Sequence, residues 1–187
     1  MKGIVFNLLE HCVRQECGED AWDSVLESAG LEGAYASLGS YPDEDLGRIV
    51  AAASEAFKMT PDGVTRWFGR SALPLLAEKY PSLFAKHGSA RSFLLSLNDI
   101  IHPEVRKLYP GVDVPEFEYD TSSDETLVMT YTSARRLCSF AEGLIEGAAQ
   151  HFGEELKIER PRCMKRGDLE CELRITLRRR ECREDGH

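Results

Sequence analysis

Apolar residues in the first half of the chain recur at the spacing that gathers side chains on one face of a helix. One helix is predicted to end at Gly18, since glycine tolerates the backbone conformation that closes many helices. Further helices are predicted over residues 20–29 and 42–57. Thr60-Pro61 then predicts the start of another helix, because threonine caps helix N-termini and proline suits the first helical position.

A long apolar stripe runs through residues 89–109 and contains His102. The stripe predicts a helix. Pro103 is expected to disturb it, because a proline ring removes a backbone donor and crowds the carbonyl group four residues earlier. The Tyr109-Pro110-Gly111 sequence is expected to end it.

The second half changes to the alternation of buried and exposed residues that is typical of strands, with one helix among them. The predicted elements are strands at 116–119 and 126–131, a helix at 137–152, and strands at 156–158 and 171–177. This order predicts an α+β fold, in which a helical N-terminal lobe precedes helices packed on an antiparallel sheet.

Size and charge narrow the function class. The chain has 187 residues, 42% of them hydrophobic and 29% charged, which is typical of a globular domain. Its net charge of -9 argues against a nucleic-acid partner, which would require a basic face. No segment approaches the ~18 apolar residues of a membrane span, and the N-terminus lacks the features of a secretory signal. We therefore expect a cytoplasmic protein that does not enter membranes.

Two features suggest chemistry. His102 lies on an apolar stripe, where an imidazole suits a haem iron, although such a histidine is more often an ordinary core residue. Tyr131, Ser133 and Arg135 alternate directly after a predicted strand, so that an extended backbone would point two hydroxyls and a guanidinium to one side. Such a trio suits a pair of carboxylates, as in haem propionates, although an exposed polar strand end gives the same pattern.

With these residues the chain resembles the H-NOX family (haem nitric oxide/oxygen binding), which is related to the sensor domain of soluble guanylate cyclase. The resemblance extends from Met1 to about residue 177, and Gly143-Leu144-Ile145-Glu146-Gly147 also carries it. It implies that His102 ligates the iron of haem b, that Tyr131, Ser133 and Arg135 hold the propionates, and that Pro115 lies against the haem. The implied organisation is a sensor domain over 1–177, with a helical lobe (1–59), a haem and sheet lobe (60–177) with haem between the two, and a charged tail (178–187).

The resemblance also bears on the choice of gas. Bound dioxygen requires a hydrogen-bond donor, and family members that hold it place a tyrosine five residues after the motif arginine; here that position is Phe140, which donates nothing. The other positions expected to line the pocket are also apolar. They are Val5, Leu9, Ala72 and Leu144. We therefore expect binding of nitric oxide and carbon monoxide and exclusion of dioxygen, unless Phe140 is a core residue and another polar group enters the pocket.

Three of the six cysteines stand where some H-NOX proteins bind zinc through three cysteines and one histidine. They are Cys138, Cys163 and Cys171. Arg160 occupies the position of the histidine, so the fourth ligand would have to be another residue such as Cys182 or His151, or the three cysteines are free thiols. The sequence therefore leaves zinc open.

We expect a sensor and not an enzyme, since no catalytic motif is present. The resemblance implies a signal through release of the iron–His102 bond to a separate protein, such as a histidine kinase or a cyclic-di-GMP enzyme. One alternative is a haem enzyme, peroxidase-like or nitric oxide-consuming, although an apolar distal side argues against it. Another is a thiol or zinc redox sensor on the same fold.

Overall fold

The computed structural model describes residues 1–179. The helices of the N-terminal half are α1 (Gly3–Cys17), α2 (Glu19–Ala29), α3 (Asp43–Phe57), α4 (Pro61–Lys79) and α5 (Pro81–Phe84). The chain continues through α6 (Ala90–Leu95), a π-helical turn (Leu97–Ile101), α7 (His102–Leu108), β1 (Glu116–Asp120), β2 (Thr126–Thr132), α8 (Cys138–His151), β3 (Glu154–Arg162), a 3₁₀ helix (Met164–Arg166) and β4 (Cys171–Arg179). The α+β prediction is confirmed.

The helix ends follow from local chemistry. Helix α1 stops at Gly18, where φ is +102°, a value that a side chain would disfavour. The Thr60 hydroxyl oxygen accepts a hydrogen bond from the Gly63 backbone N–H at 3.0 Å, and Pro61 is the first residue of α4. Both predicted helix boundaries are confirmed.

The stripe at 89–109 forms two helices around a π-helical turn. In that turn the backbone N–H groups of Ile101 and His102 bond to the carbonyl groups of Ser96 and Leu97, five residues earlier. Pro103 has no N–H to continue the ladder of bonds. The predicted disturbance is therefore present, but it lies before the proline, and it places His102 at the first position of α7.

The sheet is antiparallel with strand order β1-β2-β4-β3, so β1 and β3 are its edges. The central strands alternate between buried and more accessible residues, as a sheet with one covered face requires. Strand β4 continues to Arg179, past the predicted domain end at 177. The rest of the predicted tail, residues 180–187, lies outside the described residues.

Two hydrophobic cores share helix α4. Its first half packs with α1–α3, while its second half packs with α6, α8 and the sheet. The first core thus extends beyond residue 59 into α4. Helices α4 and α8 cross closely, because a Cβ at Gly143 would lie 2.0 Å from the Arg66 carbonyl oxygen and one at Gly69 would lie 2.3 Å from the Phe140 carbonyl oxygen. Among residues 1–179, no helix combines the length and apolarity that a membrane span requires.

Candidate functional site

A cavity of about 510 Å³ lies between the two cores. It falls within the roughly 300–1,000 Å³ typical of cofactor pockets. Both lobes line it, and most of the lining side chains are apolar. Eight of the predicted site residues meet at this cavity. They are Val5, His102, Pro115, Tyr131, Ser133, Arg135, Phe140 and Leu144.

His102 is the one imidazole among the described residues that line this cavity, and it could ligate a metal. It is only 9% exposed, and its ring stacks on that of Phe117 with centroids 5.7 Å apart. Burial, with a smaller contribution from the Arg106 charge, lowers the pKa of His102 from its ordinary 6.5 to about 4. The imidazole is therefore neutral at physiological pH, which leaves a nitrogen lone pair for a metal.

Tyr131, Ser133 and Arg135 converge on the cavity, but not along one extended strand as predicted. Strand β2 ends at Thr132, and a turn follows in which Ser133 Oγ accepts from the Arg135 N–H at 3.3 Å. The Tyr131 hydroxyl accepts from the Leu137 N–H at 3.0 Å. The turn, rather than strand periodicity, thus brings the three polar groups together.

The Arg135 guanidinium already binds carboxylates in this structure. Its Nε lies 2.7 Å from Asp43 Oδ2, and one terminal nitrogen lies 2.9 Å from Asp113 Oδ2. The N-terminal ammonium of Met1 lies 2.6 Å from the other oxygen of Asp43. Two cations and two carboxylates thus form one charge network at the mouth of the cavity, in which Arg135 makes the type of contact that a propionate would also offer.

Sequence reasoning missed this network. The sequence predicts only a helix over residues 42–57, although Asp43 at its start pairs with two cations. Partial burial opposes ionisation of Asp43, but hydrogen bonds from the Met1 ammonium and Arg135 outweigh it and hold the pKa of Asp43 below its ordinary value. Nothing in the sequence pairs residues so far apart in the chain.

The apolar part of the lining includes Phe140, whose ring packs against Phe68 with centroids 4.9 Å apart. Leu9 and Ala72 are exceptions to the predicted lining. Both are buried in the N-terminal core and do not line the cavity, because α1 and α4 turn these positions toward the other helices.

Two hydroxyls that were not predicted do line the cavity. Tyr80, at the end of α4, and Tyr109, at the end of α7, are hydrogen-bonded to each other through their hydroxyl groups. Burial, and next the bond to Tyr80, raises the pKa of Tyr109 well above its ordinary value, so this group stays protonated. The cavity lining is therefore not wholly apolar, although Phe140 itself has no hydrogen to donate.

The cysteine cluster lies apart from the cavity. The Sγ atoms of Cys138, Cys163 and Cys171 all lie within 4.8 Å of one another, and those of Cys138 and Cys163 are 3.7 Å apart. All three residues are buried. The Met164 N–H donates to the Cys171 sulfur at 3.2 Å, but burial outweighs this bond and raises the pKa of Cys171 to about 12, so this sulfur is a neutral thiol in the absence of a metal. The cluster could therefore supply three of the four ligands that a structural zinc site needs.

Arg160 stands in place of a fourth zinc ligand at this cluster. Arg160 contacts Ser139 Oγ at 3.3 Å and Glu142 Oε1 at 3.4 Å, and its charge acts on two of the thiols. Burial opposes ionisation of Cys163, but hydrogen bonds from the Lys165 N–H and the Cys138 thiol, together with Arg160, bring its pKa below the ordinary value.

Of the two suggested replacement ligands, His151 is the one that the described residues include. The suggestion that His151 serves is wrong, since it ends α8 about 20 Å along the axis from Cys138, and it packs there against Phe84 and Phe152. Cys182 lies outside the described residues.

Comparison with known proteins identifies related chains. The haem-NO-binding family model matches residues 2–160. Soluble guanylate cyclases 89Db and 89Da of Drosophila melanogaster are 24% and 25% identical to the chain over 155 and 161 residues. These matches cover 81% and 84% of the chain but only 23% and 24% of the cyclases, so the chain spans about a quarter of the length of these relatives.

Solved structures show the same fold over nearly the whole chain. An H-NOX protein from S. oneidensis in the Fe(II)NO ligation state matches with a TM-score of 0.89 and 35% identity, over 95% of this chain and 99% of that one. An unliganded Fe(II) H-NOX protein from K. algicida matches with a TM-score of 0.85 and 26% identity, over 96% and 98%. The chain therefore belongs to the haem-NO-binding family of H-NOX domains, a family of haem-binding gas sensors.

Proposed function

We propose that the chain is a cytoplasmic, non-catalytic nitric oxide sensor that binds haem b through His102 and excludes dioxygen. One observation carries the proposal. A buried, neutral imidazole faces an apolar cavity of about 510 Å³, and the mouth of that cavity already pairs a guanidinium with carboxylates. These groups suit the two ends of a haem, its iron and its propionates.

The residues have separate tasks in this proposal. His102 holds the iron, and Arg135, Tyr131 and Ser133 hold the propionates after Arg135 exchanges Asp113 or Asp43 for them. Pro115 and Leu144 supply apolar walls that exclude water. A ferrous haem held in this way would supply an iron that takes nitric oxide or carbon monoxide.

Selectivity depends on the groups opposite His102. Phe140 donates no hydrogen bond, and its ring is packed against Phe68, which limits its movement. The Tyr80 and Tyr109 hydroxyls bond to each other, which commits one of their two hydrogens and leaves the other as a donor within the cavity lining. Dioxygen gains from a donor far more than nitric oxide does, so an apolar gas-binding side at Phe140 favours nitric oxide. It also argues against a peroxidase-like enzyme, which requires a polar acid–base group at the iron.

Signalling is proposed to follow from release of His102 from the iron. His102 begins α7, which follows a π-helical turn, and Asp43 joins the N-terminal lobe to Arg135 across the cavity. A change at either contact would alter how the N-terminal lobe (1–59) packs on the rest of the domain (60–177). Two alternative packings of the lobes would form a two-state equilibrium that a bound ligand can shift. The partner that detects the change would be a separate signalling protein, such as a histidine kinase or a cyclic-di-GMP enzyme.

The visible absorption spectrum of the purified, haem-supplied protein tests the proposal. Spectra are recorded after reduction, in air, and with nitric oxide or carbon monoxide. We expect a haem band that shifts with the latter two gases but not with air. A stable spectrum of the dioxygen complex in air would remove the selectivity claim, and the absence of any haem band would remove the proposal as a whole.

The cysteine cluster supports a second candidate function, a zinc or thiol redox site. Three buried sulfurs within 4.8 Å of one another are a donor set that the haem proposal does not use. Metal analysis of protein purified without chelators is the test. Zinc near one equivalent, lost in Cys163→Ser, would support a metal site, whereas metal-free protein with reactive thiols would favour redox chemistry.

A further inference from the structure

Two side-chain hydrogen bonds tie the segment before His102 to strand β1. The Asn98 side-chain amide donates to the Phe117 carbonyl oxygen at 2.6 Å. The Tyr119 hydroxyl donates to the Leu94 carbonyl oxygen at 2.8 Å. Both bonds are partly buried, so losing either donor removes a hydrogen bond from a backbone carbonyl group in a poorly hydrated place.

The backbone of residues 97–102 is held only weakly by its own helical hydrogen bonds. The Ile101 and His102 N–H groups bond to carbonyl groups five residues earlier. Such π-helical hydrogen bonds rarely continue for more than one turn in proteins. Pro103 then removes the next donor. The direction of the His102 side chain therefore depends on contacts made by other elements, since the local helix does not fix it fully.

Phe117 supplies two of those contacts. Its carbonyl group accepts from Asn98, and its ring stacks on that of His102 at 5.7 Å with an interplanar angle of 28°. Strand β1 is an edge of the sheet, so it has backbone groups available to partners other than strands. One residue of β1 thus holds both the π-helical turn and the imidazole that follows it.

We propose that Asn98 is a positioning residue for His102, which fixes the π-helical turn to β1 and so sets how firmly the imidazole is held toward the cavity. The proposal rests on the proposed function in so far as His102 is the iron ligand. The hydrogen bond from the Tyr119 hydroxyl to the Leu94 carbonyl is a second contact of strand β1, farther from His102 in the chain. Weakening the Asn98 tie gives His102 more freedom to leave the iron, which makes Asn98 a determinant of the threshold for signalling.

Three variants and one matched control test this role. Asn98→Leu and Asn98→Asp remove the amide donor at similar size, and Tyr119→Phe removes one hydroxyl only. The control is Asn7→Leu, because Asn7 also donates from a partly buried amide, to Ser37 Oγ at 2.9 Å, but in the N-terminal lobe. Circular dichroism confirms that each variant is folded, and two measurements follow.

The first measurement is amide hydrogen exchange in the full chain without haem. We expect exchange over 97–102 to become roughly fivefold to tenfold faster in both Asn98 variants, the factor expected for one lost hydrogen bond. Tyr119→Phe should affect the preceding residues of α6, and Asn7→Leu should leave both regions unchanged. Unaltered exchange over 97–102 in the folded Asn98 variants would overturn the proposal.

The second measurement is the iron–histidine stretching band of the reduced, haem-loaded protein in resonance Raman spectra. We expect this band to broaden and move to lower frequency in Asn98→Leu but not in Asn7→Leu, because a merely structural loss would not alter the iron–imidazole bond selectively. An unchanged band would refute positioning while leaving the haem sensor intact. Failure of the native chain to bind haem would instead refute the proposed function, and the exchange experiment would still decide whether Asn98 holds the turn.

Discussion

The cavity and the cysteine cluster differ in how complete their ligand sets are. At the cavity, His102 from α7, Arg135 from the turn after β2 and Phe140 from α8 meet around about 510 Å³ of space. At the cluster, three sulfurs lie within 4.8 Å of one another, but the charged side chain that acts on two of them is the guanidinium of Arg160. The first region has both donors and room, whereas the second has donors and a competing cation.

The difference shows that charge decides between two uses of similar residues. At the cavity mouth the cation Arg135 binds the carboxylates of Asp43 and Asp113, and in the proposed haem site it would bind the propionates. At the cluster the cation Arg160 favours a thiolate at Cys163 but contributes no lone pair to a metal. Under the proposed function, a guanidinium would therefore bind the ligand in one region and oppose tetrahedral zinc in the other.

Removing the cavity's central donor should have the largest effect. His102→Gly is expected to weaken haem retention more than about a hundredfold, beyond the 10–100-fold typical of changes outside the ligand sphere, because no other imidazole lines the cavity within residues 1–179. Gel filtration followed by absorption spectroscopy measures retained haem. Added imidazole should restore it by filling the vacated space. A variant that keeps its haem and its spectrum without imidazole would show that the ligand is another residue.

Burial of His102 also predicts a pH effect on stability. Its pKa is about 4 in the folded chain against an ordinary 6.5, so the unfolded chain binds the extra proton as pH falls through this interval. Stability from this group is fully present above pH 6.5 and is progressively lost down to pH 4, by up to about 3 kcal/mol. Urea unfolding of the haem-free protein at pH 7 and pH 4.5 should show that His102→Leu loses less stability than the native chain. Equal losses would mean that the imidazole is hydrated.

The elements were predictable from the sequence to a greater extent than the site. Helical spacing and the Thr60-Pro61 cap gave the helices, because those signals are local. Leu9 was expected at the cavity and lies in the core instead, since the facing of a helix depends on how it packs. Asp43 was missed because its partner, Arg135, is distant in the chain, and the Tyr80–Tyr109 pair was missed for the same reason. The apolar stripe singled out His102 as a candidate that could also be a core residue, and the resemblance added its role as iron ligand, whereas Phe140 came from the resemblance alone.

A substitution at the cysteine cluster should supply the ligand that this cluster lacks and so make its ligand set as complete as that of the cavity. Arg160→His removes the cation and adds an imidazole, and we expect zinc affinity to rise by about tenfold to a hundredfold, as four-coordinate zinc prefers three thiolates and one histidine. Competition with a chromophoric chelator measures the change. Arg160→Gln is the matched control, because it removes the charge without adding a ligand. If the glutamine variant gains as much affinity as the histidine variant, then charge and not the missing ligand limits zinc binding.

The smallest expected effect is a change of gas selectivity at the cavity. Phe140→Tyr adds a hydroxyl beside Phe68 on the apolar side, and one hydrogen bond of ordinary strength should raise dioxygen affinity about tenfold. Nitric oxide binding should change much less, because it depends less on a donor. Dioxygen titration of the reduced protein measures the gain, and Tyr80→Phe serves as control for the hydroxyls already present. If Tyr80→Phe alters dioxygen binding and Phe140→Tyr does not, then the tyrosine pair faces the iron, and the assignment of Phe140 to the gas-binding side is wrong.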